Sequence, residues 1–130
     1  MLGEFLQEYR SATNPVRVQR SVGEQRTFAY HREDGSLGVV LFEIIPAELP
    51  DTVDLRVILA AEPLHGDGTH ALKWLRDLCD NHGVFLMGVI SPIGSQPLNL
   101  DQLTAWYRRH GFDVQGKQMQ RRPQQRREAA

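Results

Sequence analysis

Residues 54–90 constrain this chain more than any other stretch. An apolar run, DLRVILAA (54–61), meets a glycine-bearing turn, EPLHGDGTH (62–70). An amphipathic segment follows, and then a second apolar run, VFLMGVI (84–90). Ala71, Leu72, Leu75, Leu78 and Cys79 recur on one helical face, with Lys73, Arg76, Asp77 and Asp80 turned to water. The spacing predicts a helix over 69–81, closed by Gly83 as a left-handed cap. Two buried strands joined through one helix make a right-handed βαβ unit with parallel strands. That unit sets the fold class as α/β.

The flanks add antiparallel structure. Leu2, Phe5, Leu6 and Tyr9 share one face of a short helix that Asn14-Pro15 ends. Residues 16–22 and 26–32 alternate as strands do, and residues 37–45 are almost continuously apolar, as in a buried central strand. Asp34-Gly35 joins the last two as a hairpin. After an irregular loop over 91–97, Asn99 is a good N-cap, and Gln102 three residues on completes a capping box. Leu100, Leu103, Tyr107 and His110 share one face of that helix, Gly111 ends it, and residues 112–120 return as a final strand. The expected architecture is α/β (α+β): an antiparallel meander, the βαβ unit, then a helix and a C-terminal strand in one mixed sheet. Residues 1–122 form one domain, and the polar, basic tail 123–130 reads as disordered.

Composition narrows the function classes. A chain of 130 residues is long enough for one core. A net charge of -1 points to no partner, and no apolar run approaches the roughly 20 residues that span a bilayer. The first ten residues carry Glu4 and Glu8 with no cationic lead-in, unlike a signal peptide. Cys79 is the only cysteine, so no internal disulfide forms, which suits the cytoplasm, and its place on an apolar helix face marks it as core. Lys117, Arg121, Arg122, Arg126 and Arg127 read as a solvated cluster rather than a nucleic-acid site. The spacing of His65, Asp67 and His70 does not suit a metal, and none is expected.

The chemistry concentrates at residues 65–70. In an open α/β sheet, ligands bind where a strand's carboxyl end feeds a helix. Gly66 and Gly68 let a ligand approach the backbone, and the helix behind them offers unpaired N–H groups at its positive end. That suits a phosphate, although Asp67 sets a carboxylate in the same loop, and a turn with no ligand fits the residues equally well. GDGTHA formally matches the dinucleotide pattern G-x-G-x-x-A, but no acidic residue ends the next strand and there is no room for a second half-domain.

The order of motifs resembles the GNAT superfamily of acyl-CoA-dependent N-acyltransferases. His65-Gly66-Asp67-Gly68-Thr69-His70 is similar to its pyrophosphate loop, R/Q-x-x-G-x-G/A, with His65 in place of Arg or Gln and His70 in place of Gly or Ala. LAAEP (59–63), WYRRHGF (106–112) and MQRRP (119–123) resemble three further signatures, so the likeness spans about 37–123. The spelling is also similar to short GNAT-like proteins of bacteriophage genomes. The resemblance implies an N-acetyltransferase that passes an acetyl group from acetyl-CoA to an amine by direct attack. It implies splayed parallel strands with the pantetheine arm on the backbone of Leu59, Ala60 and Ala61, and the pyrophosphate at His65, Gly66, Asp67, Gly68, Thr69 and His70. Tyr107 maps to the family's catalytic acid, and its alternative role is a core aromatic. Glu43, Asp54 and Glu62 lie on or beside the central strands. Glu43, in an apolar run, is the candidate general base, its alternative being an edge or solvent-facing residue. A homodimer is a further expectation for the acetyltransferase; a non-catalytic binding or assembly protein on the same fold and a basic-tailed partner-binding module are the other readings.

Overall fold

The computed structural model describes residues 2–16, 24–63, 65–91 and 98–124. The chain runs α1 (Leu2–Ala12), β1 (Asn14–Pro15), β2 (Gln25–His31), β3 (Leu37–Pro46), β4 (Thr52–Ala60), α2 (Asp67–His82), β5 (Phe85–Val89), α3 (Leu100–Arg109), β6 (Asp113–Gln115) and β7 (Gln118–Arg121). The seven strands form one mixed sheet in the order β1-β2-β3-β4-β5-β7-β6. The meander β2–β3–β4 is antiparallel and β4 pairs β5 in parallel, as the sequence predicts. Gly83 caps α2 in the left-handed region, and the Asn99–Gln102 capping box is formed in full. The strand expected over 16–22 lies almost wholly outside the described residues. So do the loop 91–97 beyond Ser91 and the tail beyond Gln124.

The core explains why these segments fold together. The apolar stripe of α2, from Ala71 to Cys79, is buried against the central strands with Val40, Phe42, Val53 and Leu86. Phe5 and Tyr9 of α1 join the same cluster, and Trp74 stacks on Phe28 at 4.5 Å. Arg26 fixes α1 to β2: its guanidinium donates to the carbonyl oxygens of Arg10 and Thr13 and to the Thr13 hydroxyl. A cation placed on the last carbonyls of a helix satisfies acceptors that the helix cannot.

Four expectations need correction. Helix α2 begins at Asp67, two residues earlier than predicted, because Gly66 takes the N-cap position. Asp80 does not face water. It accepts from Arg121 at 2.7 and 3.0 Å, so the pair joins α2 to β7. The final strand over 112–120 is two strands, β6 and β7, turned back at Gly116-Lys117, and β7 inserts between β5 and β6. Val114 and Met119 lie five positions apart, so one unbroken strand would set them on opposite faces, whereas the hairpin pairs them and buries both. Finally, β5 is buried on one face only. Leu86 and Gly88 turn inward, whereas Phe85, Met87 and Val89 stay exposed on the other face. A continuous apolar run implies cover on both faces, but here helix α2 covers one.

Candidate active site

The parallel ladder between β4 and β5 is short. It covers Thr52–Phe85, Val53–Leu86 and Asp54–Met87, after which β4 runs on to Ala60 while β5 keeps only its pairing with β7 on the other side. The strands therefore part sooner than the sequence suggests, where divergence is expected near Ala60 and Val89. Two features set the fork. In the β3–β4 ladder Glu43 faces Val57 and Ile44 faces Leu55, which leaves Arg56 as an extra residue on β4. A bulge of this kind bends its strand and increases the local twist. On β5, Gly88 lies against β4 so closely that a Cβ there would come within 2.6 Å of the Leu55 carbonyl oxygen. The two strands touch at Leu55–Gly88 and open beyond it.

The fork opens into a cavity of about 450 Å³. One wall is β4 from Leu55 to Ala61, and Val89 and Ser91 stand across from it. Gly66, Gly68 and Thr69 close one end, and Leu103, Trp106 and Tyr107 of α3 close another. Gly66, with φ at 75°, starts α2 without a side-chain cap. The His70 N–H donates to the Gly66 carbonyl at 3.0 Å. The N–H groups ahead of it, at 67–69, have no acceptor within the helix and sit at its positive end. The α2 and α3 walls are tied directly: the Trp106 indole N–H donates to the Thr69 hydroxyl at 2.9 Å.

A sheet of this order, with parallel central strands that fork at a bulge over a glycine-started helix, decides the architecture. The fold is of the GNAT type. The anti-CRISPR protein AcrVA5 matches with a TM-score of 0.50 at 17% identity, over 72% of this chain and 96% of that one. Nourseothricin acetyltransferase matches at 0.46 and 22% identity, over 71% of this chain and 52% of that one. A GNAT-family protein from Desulfovibrio desulfuricans matches at 0.47 and 19% identity, over 90% of this chain and 73% of that one. No protein-family profile and no curated protein matches the sequence.

On this scaffold the residues singled out from the sequence separate into two groups. Tyr107, Leu59, Ala60, Ala61, Gly66, Gly68 and Thr69 converge on the cavity. Tyr107 is buried, edge-on to Trp106 and Phe112, and burial pushes its phenol up to about 12. His65, Asp67, His70 and Glu43 stand elsewhere. His65 is half-exposed beside Glu62. The His70 ring stacks flat on Tyr30 at 3.7 Å, so its bulk points to β2. Glu43 is buried within β3, between Gln25 and Val57. Asp67 is fully buried and turned toward β2, where Tyr30 Oη and Arg32 donate to it. The Arg32 guanidinium holds the Asp67 carboxyl down, to about 2.

Trp106 and Arg56 also line the cavity; the sequence offers Trp106 only as the first residue of WYRRHGF and does not single out Arg56. Arg56, 3.5 Å from Asp54, reaches the cavity because of the bulge, which no residue spacing announces. Trp106 precedes Tyr107, and its one available signal is that a half-buried indole N–H needs an acceptor. Among the described residues, no helix is long and apolar enough to cross a membrane, and no group of three His, Cys, Asp or Glu side chains is set to hold a metal.

Proposed function

We propose that this protein is an N-acetyltransferase that uses acetyl-CoA and acts in the cytoplasm on an amine borne by a small molecule or a protein. The observation that carries the reading is the single cavity shared by the forked β4 edge, the open start of α2 and the Tyr107 ring. Those three features suit the three parts of the co-substrate. Backbone at 59–61 offers an extended edge to the amide-bearing pantetheine arm. The N–H groups of 67–69 offer donors to the pyrophosphate. The acyl thioester then falls between β4 and α3, and its far side is open to an amine.

The chemistry asks little of the protein beyond position. The amine nitrogen bonds to the acyl carbon, the C–S bond breaks, and sulfur leaves as thiolate. Tyr107 gives its phenol proton to that sulfur, the nitrogen loses its extra proton to solvent, and the phenolate takes a proton back from solvent before the next turnover. Burial keeps Tyr107 protonated at every physiological pH but also makes it a weaker acid. The same dry surroundings raise the proton affinity of the departing thiolate, so donor and acceptor shift together. Thermal melts with CoA and acetyl-CoA test the reading. Saturation at 100 times Kd adds roughly 2.7 kcal/mol, a shift that is easily seen. Melts that stay unmoved by either compound at millimolar concentration contradict it.

A further inference from the structure

We infer that Arg32, which lies outside the cavity, tunes the α2 loop for phosphate by neutralising Asp67. The inference rests on the coenzyme A reading of the cavity and adds a positioning residue to it. Asp67 is the first residue of α2, between Gly66 and Gly68, both of which line the cavity. A bare carboxylate there opposes a phosphate bound to the neighbouring N–H groups, because like charges this close repel even through a high effective dielectric. The structure disposes of that charge in two ways. It turns the side chain away from the cavity, and it meets it with a two-pronged guanidinium: Arg32 Nε on Oδ1 at 3.0 Å and a terminal nitrogen on Oδ2 at 2.6 Å. Tyr30 Oη adds a third donor at 2.7 Å.

The approach is built by the β2–β3 hairpin. Arg32 opens its turn, pairing with Ser36 through the backbone, while Asp34 accepts from the Ser36 N–H. Gly38, beside Tyr30 in the ladder, leaves the space: a Cβ there would lie 2.6 Å from the Tyr30 ring and 2.7 Å from Asp67 Oδ1. With the ion pair closed, the Asp67 charge no longer opposes the loop's N–H groups and the positive end of α2, and the same guanidinium also stands 3.8 Å from the exposed Glu62 carboxylate. Arg32 touches no substrate in this arrangement and acts through Asp67.

The two ends of the pair therefore make opposite predictions. Arg32→Met leaves an uncompensated carboxylate beside the phosphate site, and CoA affinity should fall by about tenfold or more, as expected for one full charge at close range. Pantetheine, which has no phosphate, should change by less than about twofold on the same scale. Asp67→Asn removes the negative charge and keeps the cation, so CoA affinity should rise. The double variant Arg32→Met/Asp67→Asn should recover CoA affinity to within about threefold of the parent. Calorimetric titration of each variant that melts cooperatively, with CoA and then pantetheine, reads these outcomes. Equal losses at both ends, or equal losses for both ligands, make the pair a structural strut and overturn the assignment. Asp67→Asn and the double variant carry the test if Arg32→Met does not fold. A parent protein that binds neither ligand overturns the coenzyme A reading itself, and the assignment falls with it.

Discussion

The indole N–H of Trp106 donates to the hydroxyl of Thr69 at 2.9 Å, on the residue that carries the last of the open N–H groups of α2. It holds the α2 end of the cavity and the α3 end at one spacing. Trp106→Phe keeps an aromatic ring and removes the donor. One neutral hydrogen bond contributes about 0.5–1.5 kcal/mol, so KM for acetyl-CoA should rise by up to about tenfold while kcat changes less. Steady-state kinetics on the variant checks the split, and an unchanged KM means that the bond does not set the gap.

Gly68 lines the cavity, and an added Cβ there would meet Trp106 at 3.9 Å, an ordinary contact. Gly68→Val should therefore fold, yet its branched side chain occupies the approach to the N–H groups. CoA affinity should drop below detection in calorimetry with the melting temperature little changed.

Tyr107→Phe should lower kcat by about 10² to 10⁴, the usual range for a positioned proton donor, with KM for acetyl-CoA nearly constant. Burial raises the phenol from 10.0 to about 12. A raised pKa favours the neutral form on folding, so its stabilising effect is complete below pH 10 and is lost as pH climbs toward 12. The parent rate should accordingly show no alkaline limb from Tyr107 below about pH 10. A variant that turns over within threefold of the parent identifies Tyr107 as core packing alone.

Gly88→Ala tests the fork. The new methyl would sit 2.6 Å from the Leu55 carbonyl oxygen and 2.7 Å from Met119 Cε. Met119 can move, but the backbone of β4 cannot without shifting the strand contact. Overpacking of this kind destabilises by about 1–3 kcal/mol, measurable by urea unfolding. An unchanged midpoint shows that the strands can separate there freely.

Acid should weaken the α2 loop in a defined window. The Arg32 hydrogen bonds lower Asp67 from 3.8 to about 2. A depressed pKa stabilises the fold fully above pH 4 and progressively less as pH falls toward 2. The melting-temperature gap between parent and Asp67→Asn should shrink over that window, and a gap constant from pH 6 to 2 excludes a folded-state Arg32–Asp67 pair.

Local signals in the sequence were enough to place most elements. The capping box at Asn99, the Gly83 cap and the Asp34-Gly35 hairpin are decided by residues within a few positions of one another, and each forms as the pattern requires. What sequence could not supply depends on partners far along the chain. Asp80 reads as a solvent-facing helix residue until Arg121, 41 positions later, arrives beside it. Asp67 reads as an obstacle to phosphate until Arg32, 35 positions earlier, is folded against it. The fork at Leu55–Gly88 comes from a bulge at Arg56, where register rather than composition decides the outcome. The cavity was legible as a loop and a tyrosine. Its walls were not.

Cys79 sits wholly inside α2's packed face, and burial pushes its thiol up to about 12. Only a thiolate attacks a disulfide dye at a useful rate. The folded protein should thus stay silent toward such reagents at neutral pH, and since the sequence has no other cysteine, colour from the folded protein under the coenzyme A reading reports released CoA. Acceptor libraries can be screened by direct thiol release on the native protein, and a slow rise in colour without acyl donor doubles as a clock for unfolding.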